Sequence, residues 1–162
     1  MIRLTDQPFE PGSLLTGFSQ DRTETGAIAS FTGLARAEAG STTTLTLEAY
    51  PGFTERAIQA IADQARTRFA LQDLLILHRI GDIAPGEAIV FVATAAPHRR
   101  AAFEACDFLM DYLKSRAPFW EEGDRSRRPK VDRASRPGPC RYRPVGHPQP
   151  SASTCGGRVA TC

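Results

Sequence analysis

The chain has 162 residues, 41% of them hydrophobic, with 20 Lys or Arg against 18 Asp or Glu and a formal net charge of +2. A charge so balanced excludes nucleic-acid binding as a conclusion from net charge alone, and no apolar run approaches the roughly 18 residues a transmembrane helix needs. The opening MIRLTDQPFEPGSLL lacks the basic region, apolar stretch and small-residue cleavage site of a secretory signal, so the expected location is the cytoplasm.

In chain order, residues 1–12 read as an extended segment ending in a turn at Pro11–Gly12. Ser13 to Gln20 reads as a short helix with Ser13 as N-cap and Leu14, Leu15 and Phe18 on its apolar side. Asp21 to Gly26 is polar and turn-like. Ala27–Thr32 (AIASFT) reads as a strand that Gly33 breaks, and LARAEAGS then makes a flexible loop carrying Arg36. Thr43–Tyr50 alternates, with Leu45 and Leu47 against Thr44, Thr46 and Glu48, the pattern of a half-buried strand.

Pro51–Gly52 turns the chain, and Thr54 is placed to cap a helix whose Ile58, Ile61, Ala62, Ala65 and Phe69 recur at helical spacing. Asp73 to Ile80 (DLLILHRI) and Glu87 to Ala96 (EAIVFVATAA) read as two strong strands, the second central, joined across Pro85–Gly86 as a hairpin or near-hairpin. The long helix follows, from about His98 to Lys114. Ala102, Ala105, Leu109, Tyr112 and Leu113 line its core side, and Glu104, Asp107 and Asp111 its solvent side. Pro118 prevents its continuation.

The order of elements suits an α+β fold, two helices packed on one face of a mainly antiparallel sheet. Residues 121–162 are rich in Arg, Pro, Gly and Ser without apolar periodicity, so the expected domain is 1–120 and the rest is read as a disordered, solvated tail rather than a nucleic-acid contact. Cys106 lies at helical spacing among apolar residues and reads as a buried thiol. Cys140, Cys155 and Cys162 form no CxxC pair, so no metal site is read. His98, Arg99 and Arg100 stand where the long helix begins. A helix N-terminus gathers unpaired N–H groups and a positive dipole end, so cations there cost stability. The cluster reads either as a solvated turn or as a site for phosphate or carboxylate.

FTGLAR at 31–36, LTLEAYPGFTERAI at 45–58 and LHRIGDIAPGEAIVFVATAAPHRRAAFEACDFLMDYLKSRAPFW at 77–120 resemble the large, catalytic subunit family of molybdopterin synthase, over about residues 5–120. The resemblance implies an α/β-hammerhead-like fold with a small added β subdomain. It implies sulfur transfer from the thiocarboxylated C-terminal glycine of a small ubiquitin-like carrier to cyclic pyranopterin monophosphate, forming the dithiolene of molybdopterin. It also implies a homodimer of large subunits with a carrier at each end, and no metal or bound cofactor. The family's phosphate and pterin contacts fall on Leu34, Ala35 and Arg36 and on His98 and Arg99. Its essential lysine falls on Lys114 of the YLK motif, where the helix dipole alone is the simpler explanation. The functional one is that the ammonium polarises the thiocarboxylate carbonyl, stabilises an oxyanion or shuttles protons. Phe31 and Met110 are open between pocket lining and core.

The sequence departs from the family after Phe119–Trp120. Glu121 stands where the family usually has a second active-site lysine, and a strand of the type RWVEA does not follow. One expectation is an out-of-frame reading of a GC-rich gene. EEGDRSRRPKVDRA can be back-translated with ordinary codons so that a one-nucleotide shift reads RKAIGRGGPRWIERA. The departure leaves a second function open, a non-catalytic or C-terminally damaged copy that still dimerises and binds the carrier.

Overall fold

The structure is a computed structural model and describes residues 1–36 and 44–121, with the backbone alone at 120 and 121. The elements are β1 Ile2–Thr5, α1 Pro11–Ser19, β2 Ala27–Leu34, β3 Leu45–Ala49, α2 Phe53–Phe69, β4 Asp73–Arg79, β5 Gly81–Ile83, β6 Ala88–Ala96, α3 Arg99–Ser115 and β7 Phe119–Glu121. A four-stranded sheet has the order β1-β4-β6-β2, and a separate three-stranded sheet has the order β5-β3-β7. Among the described residues, only the β1–β4 pair is parallel; the other pairs are antiparallel. The mixed α+β reading holds, with the small sheet as its added β subdomain. The expected hairpin is the β4–β6 pair, from Asp73↔Ala95 to His78↔Val90. Residues 122–162, and with them nearly all of the expected tail, lie outside the described residues, as do 37–43.

β4 and β6 are buried along both faces, which is why their apolar character runs almost unbroken. On one face, Leu74, Ile76, Val90 and Val92 meet Ile58, Ala62 and Ala65 of α2 and Ala102, Leu109 and Leu113 of α3. On the other, Leu75, Leu77, Phe91 and Ala93 meet Phe18, with Leu14 and Leu15 of α1 packed against them. The two predicted long helices therefore share a face, and α1 covers the reverse. A third, smaller cluster of Ala35, Leu47 and Ile83 joins the end of β2 to the small sheet.

Several boundaries differ from expectation for local reasons. α1 starts at Pro11, whose fixed φ suits the first helical position. Its cap is Glu10, not Ser13: the Glu10 carboxylate accepts from Gly12 N at 2.9 Å and Ser13 N at 2.5 Å, and these bonds hold its pKa below the usual carboxylate range. Gly33 does not break β2. It pairs with Val90, and a Cβ there would lie 2.8 Å from Val90 Cγ1, so glycine permits a close approach to β6 before the register shifts at Gly33/Leu34. The cap of α2 is Gly52 in the left-handed region (φ 73°), not Thr54. Thr54 is fully buried, and its Oγ1 accepts from Tyr50 N at 3.0 Å and donates to Pro118 O at 3.1 Å. It ties the start of α2 to the segment that follows α3. β5 and β7, three residues each, were not expected.

Candidate functional site

The basic cluster sits at the start of α3. His98 is its N-cap residue in extended conformation and makes no side-chain cap bond. His98, Arg99 and Arg100 are all exposed. Arg100 pairs with Glu104 one turn on, at 3.4 Å, while neither His98 nor Arg99 forms an ion pair among the described residues. This end is held by a tight crossing: an added Cβ on Gly26 would lie 2.1 Å from Pro97 O, the residue just before His98. Inside, Thr94 Oγ1 donates to Ala102 O at 2.8 Å and fixes the first turns of α3 on β6.

Leu34, Ala35 and Arg36 lie at the opposite end of the β2–β6 ladder. Leu34 is exposed, Ala35 buried and Arg36 exposed. Both backbone groups of Ala35 are engaged: its N–H donates to Glu87 O at 2.8 Å and its carbonyl accepts from Gly86 N at 2.7 Å. The turn between β5 and β6 thus clasps the residue that precedes Arg36. Lys114 is exposed in the last turn of α3. Three residues separate the end of that helix from β7, which pairs Phe119 with Ala49 and Glu121 with Leu47. Leu47 packs against Ala35. The ends carrying Arg36, Lys114 and the Glu121 backbone are therefore gathered around the small sheet. Phe31 is 43% exposed on the edge strand β2, and Met110 is half-buried against the main core.

One chain does not bring the two groups together. The β2–β6 register runs from Ala27↔Ala96, beside His98, to Leu34↔Ala88, beside Arg36. That is seven steps, about 23 Å at roughly 3.3 Å per residue. Along α3, Arg99 and Lys114 are fifteen residues apart, about 22 Å at roughly 1.5 Å per residue. The molecule therefore offers a His98–Arg99 end and an Arg36–Lys114 end.

Sequence reading passed over His78 and Arg79, although two basic residues inside an apolar strand are a signal. They point to opposite faces of β4. His78 is 7% exposed and its ring stacks on Phe119, with centroids 3.9 Å apart and planes at 11°. Its Nδ1 lies 2.7 Å from Arg79 O, so that nitrogen carries the proton and donates. Burial pushes the His78 pKa down to about 4. The native protein then binds fewer protons than the unfolded chain below pH 6.5, so this contribution is complete above about 6.5 and is lost as pH falls toward 4. A shift of this size is worth up to about 3 kcal/mol. Urea unfolding of wild type and His78→Phe between pH 7 and 4 checks this: the wild-type curve is expected to fall more steeply, with the difference confined to that window.

Arg79 is 3% exposed. Its Nη2 donates to Asp82 O at 2.9 Å, its Nη1 lies 3.5 Å from Glu87 Oε2, and Nε and Nη1 have no hydrogen-bond partner among the described residues. Cys106 is buried, and desolvation raises its pKa to about 11, so it is a neutral thiol and a poor nucleophile. Among the described residues, no three of His, Cys, Asp and Glu are grouped to hold a metal ion. No helix among them is long and apolar enough to cross a membrane.

Comparison with known proteins places these ends in a family context. Residues 4–116 match the family model described as MoaE protein, a span that includes Arg36, His98, Arg99 and Lys114. The chain is 70% identical over 122 residues to the molybdopterin synthase catalytic subunit of Caulobacter vibrioides, covering 75% of this chain and 81% of that one. Among solved structures it resembles the molybdopterin biosynthesis MoaE protein of Burkholderia ambifaria, with TM-score 0.68 and 40% identity over 74% of this chain and 80% of that one. It also resembles the molybdopterin synthase of Staphylococcus aureus, with TM-score 0.65 and 26% identity over 73% and 86%.

Proposed function

The chain belongs to the MoaE protein family, a family of sulfur-transferring enzymes, and from that membership we propose that it acts as the catalytic subunit of a molybdopterin synthase. Its substrate is cyclic pyranopterin monophosphate. Its sulfur donor is a small carrier subunit bearing a C-terminal thiocarboxylate. The name catalytic subunit, borne by its relatives, supports a second kind of subunit in the working complex. The reaction proceeds in the cytoplasm, without a metal or a bound cofactor.

The chemistry asks little of the large subunit's own nucleophiles, which agrees with a buried, neutral Cys106. The carrier's thiocarboxylate sulfur forms a bond to a pterin side-chain carbon as that carbon's bond to oxygen breaks. The oxygen leaves as water in one round and, in the other, stays on the phosphate as the cyclic ester opens. Water then cleaves the acyl–sulfur bond, leaving the sulfur on the pterin and returning the carrier as a carboxylate. Two rounds give the dithiolene. Lys114, exposed beside the small sheet, supplies the ammonium that stabilises the oxyanion when water adds to the acyl carbon, or moves the proton in that step. Arg36 offers a planar fork for phosphate oxygens, and His98 and Arg99 serve the same anion at a helix N-terminus.

The observation that carries the reading is the pair of exposed basic ends, both of which lie inside the span 4–116 that matches the family model. Since about 23 Å of ladder separates them, one small substrate meets both only where two chains meet. The working unit is then a homodimer in which one protomer's His98 and Arg99 face its partner's Arg36 and Lys114, with a carrier at each end. A non-catalytic copy is the less favoured reading, since all four basic residues are present.

Mixing two inactive variants tests this arrangement. Lys114→Ala and Arg99→Ala, each inactive alone, are co-refolded in equal amounts. Random pairing makes about half the dimers mixed, each with one intact site, so about a quarter of wild-type turnover returns. Absence of any recovery, with mixed dimers demonstrated by mass, would show that each chain works with its own two ends.

A further inference from the structure

Arg79 is a buried guanidinium with no role in the chemistry above. Arginine is seldom fully buried without good pairing, and Nε and Nη1 have no hydrogen bond among the described residues. Its engaged contacts all fall on one short segment. Nη2 donates to Asp82 O at 2.9 Å in β5. Nη1 faces Glu87 Oε2 at 3.5 Å, and the same oxygen accepts from Ala84 N at 2.9 Å across the turn. The Glu87 carbonyl accepts from Ala35 N, and Gly86 N donates to the Ala35 carbonyl. The sequence of contacts therefore runs from Arg79 through Glu87 and the Ala84–Glu87 turn to the residue before Arg36.

The energetics fit a positioning part. Glu87 is partly exposed while Arg79 is not, so the pair spends desolvation mainly on the arginine, and a buried ion pair is weak support for stability by itself. It does impose geometry. With Nη2 on one side of the turn and Nη1 on the other, the fork sets the spacing between β5 and the Glu87 end of β6.

We propose that Arg79 is a positioning residue that, through Glu87 and the Ala84–Glu87 turn, holds the Ala35–Arg36 segment at the height where Arg36 meets the phosphate of the substrate. The last clause rests on the reading of Arg36 given above; the mechanical link from Arg79 to Ala35 does not.

Two measurements on the full-length chain separate these parts. Hydrogen exchange reads the link without substrate. In Arg79→Met the amides of Ala35 and Gly86 are expected to exchange about tenfold faster, while Val92 and Leu109 in the core keep their rates. Kinetics read the consequence: Arg79→Met raises KM for cyclic pyranopterin monophosphate about tenfold with kcat within about twofold, and adds nothing in an Arg36→Ala background. Glu87→Gln keeps an acceptor for Ala84 N but removes the charge, and serves if Arg79→Met folds poorly; the same pattern is expected at smaller size. Unchanged exchange at Ala35 and Gly86 would overturn the link. Faster exchange at these amides with a KM effect that adds to that of Arg36→Ala would overturn the action through Arg36. Arg36→Ala without effect on KM would instead remove the phosphate reading of Arg36, whatever the exchange data show.

Discussion

Lys114→Ala is expected to lower sulfur transfer by at least about a hundredfold, the scale of losing one charged group aimed at a developing oxyanion, with little change in stability. The side chain is exposed in the last turn of α3, so its removal forfeits a dipole interaction of about 0.3–1 kcal/mol and no core contact. Lys114→Arg separates the chemical role from the helical one. Arginine keeps the favourable charge at the helix C-terminus but holds its proton too tightly to shuttle it, and its flat fork replaces a compact ammonium. Stability restored without turnover assigns Lys114 to the chemistry. Full activity in Lys114→Ala would leave it as a helix-end cation and nothing more.

Gly26→Ala is expected to be the most damaging single methyl in the described chain. The added Cβ would lie 2.1 Å from Pro97 O and 3.0 Å from Pro97 C, both backbone atoms that cannot rotate away. Either β2 or the Pro97–His98 link must move, at a cost of about 3 kcal/mol, which lowers the melting temperature by about 10 °C. The displaced link carries His98 and Arg99, so residual folded protein should bind the anionic substrate more weakly. Gly17→Ala is the control: it lies inside α1, exposed, with nothing within 4 Å of the added carbon. It is expected to stabilise by about 0.5–1 kcal/mol, because alanine loses less freedom in a helix than glycine. Thermal melts of the two variants beside wild type read both effects.

What could be read in the sequence follows from what is periodic. α2 and α3 show in the spacing of Ile58, Ile61, Ala65 and of Ala102, Leu109, Leu113, and all six are buried. β4 and β6 show as apolar runs because both faces are covered. The three-residue strands β5 and β7 have no room for a period, and nothing local announces that Phe119 pairs with Ala49. Glutamate seldom caps, so the residue type alone does not single out Glu10, yet Pro11 sets the helix start and leaves the Glu10 carboxylate beside the N–H groups of Gly12 and Ser13.

The candidate site was legible residue by residue but not in its layout. Arg36, His98, Arg99 and Lys114 stand out by charge and motif, whereas the roughly 23 Å between the two ends depends on the antiparallel register of β2 and β6. Ala35 illustrates the same gap. The motif marks it for the substrate, and its buried side chain and paired backbone make it the anchor of the loop that presents Arg36. His78 and Arg79 are visible as a basic pair in an apolar strand, but their opposite tasks follow from the alternation of a strand whose two faces meet different partners. Glu121 contributes backbone pairing to Leu47, a part that any residue with a free N–H can fill.

The most direct measurement is a single-turnover reaction of the purified full-length chain with cyclic pyranopterin monophosphate and a carrier whose thiocarboxylate sulfur is isotopically labelled. The prediction is a pterin that gains two labelled sulfurs while two carriers return as carboxylates, with both changes absent in Lys114→Ala. A carrier that binds yet keeps its labelled sulfur in the presence of wild-type chain and substrate would contradict the assignment of sulfur transfer to this protein.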